Sequence, residues 1–183
     1  MGPFGSTLRH SEFVKEGIAV LGIDNAVQNR FAWSERRFIT PEKYKELQQY
    51  TVKPGDVIIT IMGTTGRSAV VPQDIPPAIT TKHLATITLD RSKALPEYIS
   101  NAIHRDPSVL NQIALQNRGA IMAGLNLGII KKLKVRLPPL EQQILYDKIV
   151  NQVRQEQEKL EESANTANAL FNSLHQRAFR GEL

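Results

Sequence analysis

The architecture is decided by residues 137–179, which read LPPLEQQILYDKIVNQVRQEQEKLEESANTANALFNSLHQRAF. Beyond the Pro138-Pro139 pair the chain has no further proline, and its one remaining glycine is Gly181. The segment is dominated by Glu, Gln, Lys, Leu and Ala, which are strong helix formers. It therefore predicts a single helix over residues 140–179, about 60 Å long at a rise of about 1.5 Å per residue.

An apolar seam repeats every seven residues along this predicted helix. Nine of its ten positions are apolar, and they follow spacings of four and three in alternation. Such a seam over five heptads is typical of a coiled coil, and a narrow apolar stripe on a long helix needs another helix to cover it. Gln157 is a polar interruption of the kind that fixes register. The alternative is a helix that folds back on its own domain. The ten positions are Tyr146, Val150, Val153, Gln157, Leu160, Ala164, Ala167, Phe171, Leu174 and Ala178. The residues predicted to form a dimer interface are Val150, Val153, Leu160, Ala164, Ala167, Phe171 and Leu174.

The preceding residues predict a different structure, so the chain divides into a head over residues 1–138 and a long helix over residues 139–183. Short branched runs bounded by glycine and proline indicate strands, and proline after a capping residue indicates a helix start. The predicted class is α+β: a small, mixed, mostly β domain with peripheral helices, followed by a long C-terminal coiled-coil helix. Strands are predicted at 18–23, 57–62, 68–71, 85–89 and 133–137. Helices are predicted at 41–49, 96–104, 107–117 and 127–131.

The charge is divided between the two parts. The whole chain carries a net charge of +5. Residues 1–140 hold 18 basic and 11 acidic side chains, a net +7, whereas residues 141–183 hold five basic and seven acidic ones. A basic globular head favours a polyanion partner, most simply nucleic acid. A basic surface that serves only solubility is the alternative interpretation of the charge.

Composition excludes several classes of protein. Without cysteine the chain cannot be a disulfide scaffold, use a thiol nucleophile or bind zinc through thiolates. Its longest apolar runs are too short to span a bilayer, and residues 1–5 lack the basic flank and apolar core of a signal peptide. A cytoplasmic protein is therefore predicted.

No motif in the sequence indicates catalysis. The nearest approach to a nucleotide-binding P-loop is at residues 63–68, but its glycines are three apart and Arg67 stands where lysine is required. The four histidines form no metal-binding pair, and no pair of carboxylates suggests acid–base chemistry. The Pro138-Pro139 pair is flanked by leucines, so it is not the Asn/Asp-Pro-Pro-aromatic motif of an amino-methyltransferase. We therefore predict a protein that is not an enzyme, with no catalytic residues, no metal site and no cofactor of its own.

Four polar loops in the head carry the residue types that contact DNA. They lie at 5–10, 63–68, 79–83 and 117–119. Backbone amides and hydroxyls can hold a phosphate, and arginine can form two hydrogen bonds with guanine. Each loop alone is also consistent with an ordinary turn. The candidate DNA-binding residues are Ser6, Arg9, His10, Thr64, Thr65, Arg67, Lys82, His83 and Arg118.

Short motifs along the chain carry a resemblance to a known family. They are Gly2-Pro3-Phe4-Gly5-Ser6 with Gly17-Ile18, Lys53-Pro54-Gly55-Asp56-Val57, Met62-Gly63-x-x-Gly66, Leu137-Pro138-Pro139-Leu140-Glu141-Gln142-Gln143 and Ala178-Phe179-Arg180-Gly181-Glu182-Leu183. The Leu-Pro-Pro-Leu-Glu-Gln start of the long helix and the Phe-Arg-Gly-Glu-Leu ending are the most specific. Over essentially its whole length, the chain resembles the DNA specificity subunit of type I restriction–modification systems.

The resemblance implies a fold and a set of partners. Specificity subunits of this family have two target recognition domains joined by two long helices that pair antiparallel, and each domain reads one half of a bipartite DNA site. The helices set the gap between the half-sites and dock methyltransferase subunits, which bind S-adenosylmethionine and methylate adenine. A restriction subunit with motor and nuclease activity completes the complex. S-adenosylmethionine, Mg and ATP are therefore expected only on partner subunits.

This chain has one recognition domain and one long helix, so the resemblance makes it a half-subunit. The free seam favours a homodimer, and antiparallel helices would place identical heads at opposite ends, which predicts a bipartite palindromic target. Family domains have a strand before the Gly-Pro-Phe-Gly motif, and this sequence starts at that motif. The alternative is therefore a truncated remnant that acts only as a coiled-coil interaction module without sequence readout. A generic coiled-coil oligomeriser whose head binds RNA is a third hypothesis, although the sparse aromatic residues form no evident stacking platform.

Overall fold

The structure is a computed structural model, and it describes residues 1–116 and 124–182. Its contacts divide the chain into two compact units, Met1–Gln143 and Ile144–Leu183. The first unit holds both sheets and the shorter helices, and the second is the long helix from Ile144 onward. The predicted α+β class, with small sheets, peripheral helices and a long C-terminal helix, is confirmed.

The described residues form six short strands and five α-helices. The strands are β1 (Ile18–Leu21), β2 (Phe38–Ile39), β3 (Val57–Thr60), β4 (Ser68–Val70), β5 (Ala78–Thr80) and β6 (Leu84–Ile87). The helices are α1 (Pro41–Leu47), α2 (Pro96–Arg105), α3 (Pro107–Gln116), α4 (Leu127–Lys132) and α5 (Leu140–Phe179). Short 3-10 turns occur at Gly5–Thr7, His10–Glu12, Ile23–Asn25 and Gln48–Tyr50.

The strands pair into two three-stranded sheets. In the first, β1 lies between β2, which is antiparallel to it, and β5, which is parallel. In the second, β3 lies between β4 and β6, and both pairs are antiparallel. Every residue of β3 is buried because its two faces are both covered. Ile59 packs in a cluster with Ile103 of α2 and Val109 of α3, whereas Ile58 packs in a cluster with Leu21 of the first sheet.

The helix starts predicted from proline and capping residues are confirmed. The Lys43 amide donates to Thr40 Oγ1 (3.2 Å) at the start of α1, and the Ile129 amide donates to Asn126 Oδ1 (2.9 Å) at the start of α4. Proline is the first residue of α1, α2 and α3. The long helix spans residues 140–179 as predicted, because nothing in that segment interrupts its backbone hydrogen bonding.

The strand predicted at 133–137 is wrong. Leu133 and Val135 do pack against the core, so the alternation of apolar and charged residues reflects a real difference in burial. However, this segment pairs with none of the described strands. Its backbone bonds side chains instead: Gln112 accepts from the Lys134 amide (2.8 Å) and donates to the Lys134 carbonyl (2.9 Å). The Gln112 side-chain amide therefore bonds the backbone where the alternating pattern predicts a neighbouring strand.

Candidate nucleic-acid interface

Three connections of the head converge at one edge of its sheets. The pairing of β3 with β6 continues past the strands, because the Ile61 amide donates to the His83 carbonyl (2.9 Å). At the same edge, the Thr81 amide donates to the carbonyl of Leu21 at the end of β1 (2.8 Å). The register therefore brings together the end of β1, the turn between β5 and β6, and the hairpin between β3 and β4.

The hairpin between β3 and β4 is built around a buried hydroxyl group. Thr60 is fully buried, and its Oγ1 accepts from the Arg67 amide (3.0 Å) and donates to the carbonyl of Thr64. Gly63 and Gly66 have φ angles of 74° and 82°, a region that glycine adopts without the strain of a Cβ atom. The base of the loop is thus held by internal hydrogen bonds, and the tip is left to face outward.

The hairpin tip presents hydroxyl and guanidinium groups. Thr64 and Arg67 are exposed, and Thr65 is half-buried. Within residues 1–116 and 124–182, the Arg67 side chain makes no hydrogen bond or ion pair, so its guanidinium is available to a ligand. A free arginine beside two hydroxyls matches the groups that bond base edges and phosphates.

A cavity of about 840 Å³ lies beside this edge of the sheets. Its walls come from the N-terminal segment, the end of β1, residues 35–37 and the turn between β5 and β6. Leu8, Phe13 and Ile23 supply apolar lining. Ile23 also connects the cavity to the hairpin, because a Cβ atom at Gly63 would lie 3.6 Å from Ile23 Cδ1.

Asp24 is the acceptor of a polar cluster in the cavity wall. It accepts hydrogen bonds from the Ser34 hydroxyl and the Arg37 guanidinium. Partial burial disfavours the ionised carboxylate, but these two hydrogen bonds and the positive charge of Arg37 outweigh it and hold the pKa of Asp24 below its usual value. Gly22 leaves the room for this pair, since a Cβ atom there would lie 2.5 Å from Arg37 Nη2. The Arg37 guanidinium is therefore held in a defined position.

Lys82 and His83 face the same cavity from the turn between β5 and β6. Burial, followed by the charges of Lys82 and Arg37, lowers the pKa of the His83 imidazole below its usual value. His83 is therefore neutral at pH 7 and can exchange hydrogen bonds without adding charge. Lys82 is exposed and forms no ion pair with any described residue.

The N-terminal segment is packed tightly against the turn between β5 and β6. The Gly2 amide donates to the carbonyl of Leu84 (3.2 Å), and a Cβ atom on Gly2 would lie 2.2 Å from the Thr81 carbonyl oxygen. Only glycine fits at that distance from a neighbouring backbone. This contact gives a physical reason for Gly2, the first glycine of the Gly-Pro-Phe-Gly motif.

Most of the predicted DNA-binding residues fall on neighbouring surfaces, and their role stays a prediction. Thr64, Thr65 and Arg67 form the hairpin tip, while His10, Lys82 and His83 line the adjoining cavity. The other three candidate residues are not assigned to either surface. Arg9 is exposed but does not line the cavity, Ser6 belongs to the backbone turn Gly5–Thr7, and Arg118 lies outside the described residues.

Sequence reasoning missed the segment 33–37 and its partner Asp24. The Arg36 guanidinium lies 5.1 Å from the centroid of the exposed Trp33 ring, a cation–π contact, and Glu35, Arg36 and Arg37 line the cavity. A tryptophan followed by two consecutive arginines between strands was the available signal. Aromatic and basic residues interleaved in this way are typical of nucleic-acid surfaces.

The seam predicted on the long helix is exposed within this chain. Leu160 is 68% exposed and Phe171 is 58% exposed, and Val153 and Leu174 are exposed to about half. Ala164 and Ala167 are also exposed, whereas Val150 is half-buried. Burying these side chains against another helix would stabilise the assembly, and dimerisation stays a prediction.

Among the described residues, no helix combines the length and the hydropathy of a membrane-spanning segment. No group of three or more acidic, histidine or cysteine side chains in that part of the chain could hold a metal ion.

Comparisons with known proteins show the same fold in two solved structures. One, from a study of complex assembly and conformational transition of the type I R-M system, superposes with a TM-score of 0.64 at 19% identity, covering 96% of this chain and 42% of that one. The other is the HsdS subunit from Thermoanaerobacter tengcongensis, with a TM-score of 0.56 at 21% identity, covering 79% of this chain and 37% of that one.

Sequence comparison gives the family. The chain is 26% identical over 174 residues to the type I restriction enzyme EcoBI specificity subunit of Escherichia coli, a match that covers 93% of this chain and 36% of that subunit. The chain thus spans about a third of the length of this curated relative. Residues 7–167 match the model of the family described as type I restriction modification DNA specificity domain. Since that match covers most of the sequence, the chain belongs to the type I restriction–modification DNA specificity domain family.

Proposed function

We propose that this chain is a DNA-reading half-subunit of a type I restriction–modification complex. Residues 1–138 are the target recognition domain and read one half of a bipartite site, while residues 139–183 form the dimerisation and spacer helix. The chain itself is not catalytic. Adenine methylation, with its S-adenosylmethionine, belongs to methyltransferase subunits that this chain docks, and Mg and ATP belong to partner subunits, including the restriction subunit. The complex acts in the cytoplasm.

The observation that carries this proposal is the convergence of the hairpin tip and the turn between β5 and β6 at one edge of a basic head. The hairpin presents Arg67 and the turn presents Lys82. Both side chains are exposed, and neither forms an ion pair with a described residue. Membership of a DNA specificity family indicates that the polyanion bound by this surface is DNA. Neither the basic charge nor the loops alone would distinguish DNA from other polyanions.

The residues divide into two roles in this proposal. Arg67 can donate two hydrogen bonds to O6 and N7 of a guanine in the major groove, and the Thr64 and Thr65 hydroxyls can bond neighbouring base edges or phosphates. Lysine side chains such as Lys82 neutralise phosphates and set the position of the head on the duplex. Neutral His83 can donate or accept one further hydrogen bond.

A second copy of the chain is the proposed partner of the long helix. The exposed seam needs a helical partner, and an antiparallel two-fold pair puts the same residues on both sides of the interface. Two identical heads at opposite ends of such a pair would read a palindromic bipartite site. The alternative, a remnant that docks methyltransferase subunits without reading sequence, uses the same helix but not the hairpin.

A methylation map tests the proposed function. The chain is co-expressed with the methyltransferase subunit of its own system in a host that lacks type I enzymes, and methyladenine is read across the genome. We expect methylation at one bipartite palindromic motif. If both proteins are soluble and no new methylation occurs, the proposal is contradicted and the docking remnant is supported.

Arg67→Ala should weaken binding to a duplex that carries the motif found by the methylation map. The expected loss is about tenfold to a hundredfold, because each bidentate arginine–guanine contact contributes about 1–3 kcal/mol of discrimination. We also expect relaxed specificity at one base position, measured by binding to a set of single-base variants of the motif. Lys53→Ala is the control, since Lys53 is an exposed cation beside the opposite end of β3. Equal specificity profiles for Arg67→Ala and the wild type would remove Arg67 from the base-reading set.

A further inference from the structure

The cavity beside the hairpin has a positively charged wall that its own residues leave partly uncompensated. Lys15, Arg36, Arg37 and Lys82 line it, against the two carboxylates of Asp24 and Glu35. Asp24 is already engaged by Arg37 and Ser34. Lys15 and Lys82 form no ion pair within the described residues. The cavity is therefore suited to a ligand that brings negative charge.

The Arg37 guanidinium of this wall is held in position by its hydrogen bond to Asp24. The Arg37 side chain is 26% exposed, so part of the group can be reached from the cavity. A guanidinium has five N–H donors, and donors that Asp24 does not use can bond an oxygen acceptor.

Charge, the Arg37 donors and location together indicate the chemical class of the ligand. An acceptor oxygen that carries negative charge suits the lysines and the Arg37 guanidinium, and a phosphodiester group has two such oxygens. The cavity adjoins the hairpin through Ile23, so a DNA strand whose bases meet the hairpin tip passes close to it.

We propose that this cavity seats a phosphodiester group of the bound DNA, with Lys82 and Lys15 neutralising its charge and the Arg37 guanidinium donating hydrogen bonds to its oxygens. This inference rests on the proposed function, since it assigns the cavity to the same DNA complex. It separates the two surfaces by role: the hairpin tip reads bases, and the cavity fixes the register of the head on the backbone.

The test measures how the affinity for duplex DNA depends on salt. Wild type, Lys82→Met and the control Lys53→Met are titrated against a target duplex and a scrambled duplex of about 30 base pairs between about 50 and 200 mM salt. Loss of one phosphate contact lowers the slope of log K against log salt by about 0.9. We expect that loss for Lys82→Met on both duplexes, with an unchanged ratio between their affinities, and no loss for Lys53→Met. An unchanged slope for Lys82→Met, or a changed ratio, would overturn the proposal.

Two further outcomes distinguish a free anion from DNA, and the cavity from the proposed function. Inorganic phosphate should displace the duplex from wild type no better than chloride at equal ionic strength. Stronger displacement that disappears in Lys82→Met would assign the seat to a free anion and overturn the proposal. If the wild type binds target and scrambled duplexes with equal affinity, the proposed function fails, whereas sequence-specific binding with an unaffected Lys82→Met variant rejects the seat alone.

Discussion

Gln143→Leu is expected to lower the free energy of unfolding of the head by about 3 kcal/mol, because three hydrogen bonds of a buried amide are lost together. Gln143 is fully buried. Its Oε1 accepts from the Leu95 amide (2.9 Å), and its Nε2 donates to the carbonyls of Lys93 (3.0 Å) and Pro138 (2.8 Å). Leucine has a similar volume but bonds none of these groups, so the Leu95 amide and the Lys93 and Pro138 carbonyls lose their partner.

Chemical denaturation and thermal melting measure this effect. A loss of about 3 kcal/mol corresponds to a decrease of roughly 6–12 °C in Tm for a chain of this size. Gln142→Leu is the matched control, since Gln142 is the exposed neighbour on the same helical turn. Gln143→Glu should destabilise the head at least as much as Gln143→Leu, because it buries a carboxylate whose second oxygen faces the Lys93 and Pro138 carbonyls without a donor. A Gln143→Leu variant that melts with the control would show that the three bonds contribute little.

This amide also explains part of the Leu-Pro-Pro-Leu-Glu-Gln-Gln motif. Two prolines end the preceding extended segment just before α5, and Gln143 joins the first turn of α5 to residues 93–95, all within the unit Met1–Gln143. The motif itself indicates the family resemblance and the helix start. Its residues do not show which of the two glutamines is buried, because that depends on the contact with residues 93–95.

Leu160→Glu is expected to convert the proposed homodimer to a monomer at concentrations at which the wild type is dimeric. Leu160 is the central seam position, and two-fold symmetry places the new carboxylate in the interface twice. Two charges taken from water into an apolar seam, without partners, cost several kcal/mol, which corresponds to a dissociation constant at least a hundredfold higher. Sedimentation equilibrium or light scattering across a concentration series measures the change.

Gln155→Glu is the matched control for this variant. It adds the same negative charge to the same helix, at an exposed position that does not belong to the seam. We expect it to stay dimeric and to keep the wild-type melting temperature of the head. A dimeric Leu160→Glu variant would show that the seam register is wrong, and a wild-type chain that is monomeric at high micromolar concentration would contradict the homodimer itself.

The long helix and the helix starts were predictable because their signals are local. Helix propensity, proline at the first turn and an Asn or Thr cap act within a few residues of one another, and the structure confirms each of them. The short strands were less predictable. The loop predicted at 79–83 is wrong in its first two residues, which belong to β5, and residues 38–39 form β2, because strands this short exist only through their neighbours in a sheet.

The candidate site shows the same division. Thr64, Arg67, Lys82 and His83 could be selected because glycine-rich polar loops in a basic domain stand out in a sequence. The Asp24–Arg37 pair could not, because the two residues are 13 positions apart, and Gly22 makes room for the guanidinium only after β1 has formed. Arg67 and Lys82 meet at one edge only through the register of β3 with β6.

Local chemistry therefore settled which segments are helical, where the charge lies and which family the motifs resemble, because these properties depend on residues close together along the chain. Long-range pairing settled the rest: the extended segment at 133–137 held by Gln112, the buried role of Gln143, and the cavity walled by four separate segments. The physical reason is that a side chain's burial and partners depend on which distant residues pack beside it. Packing, and not the local motif, buries Gln143 among its three hydrogen-bond partners and leaves Arg67 exposed at the hairpin tip.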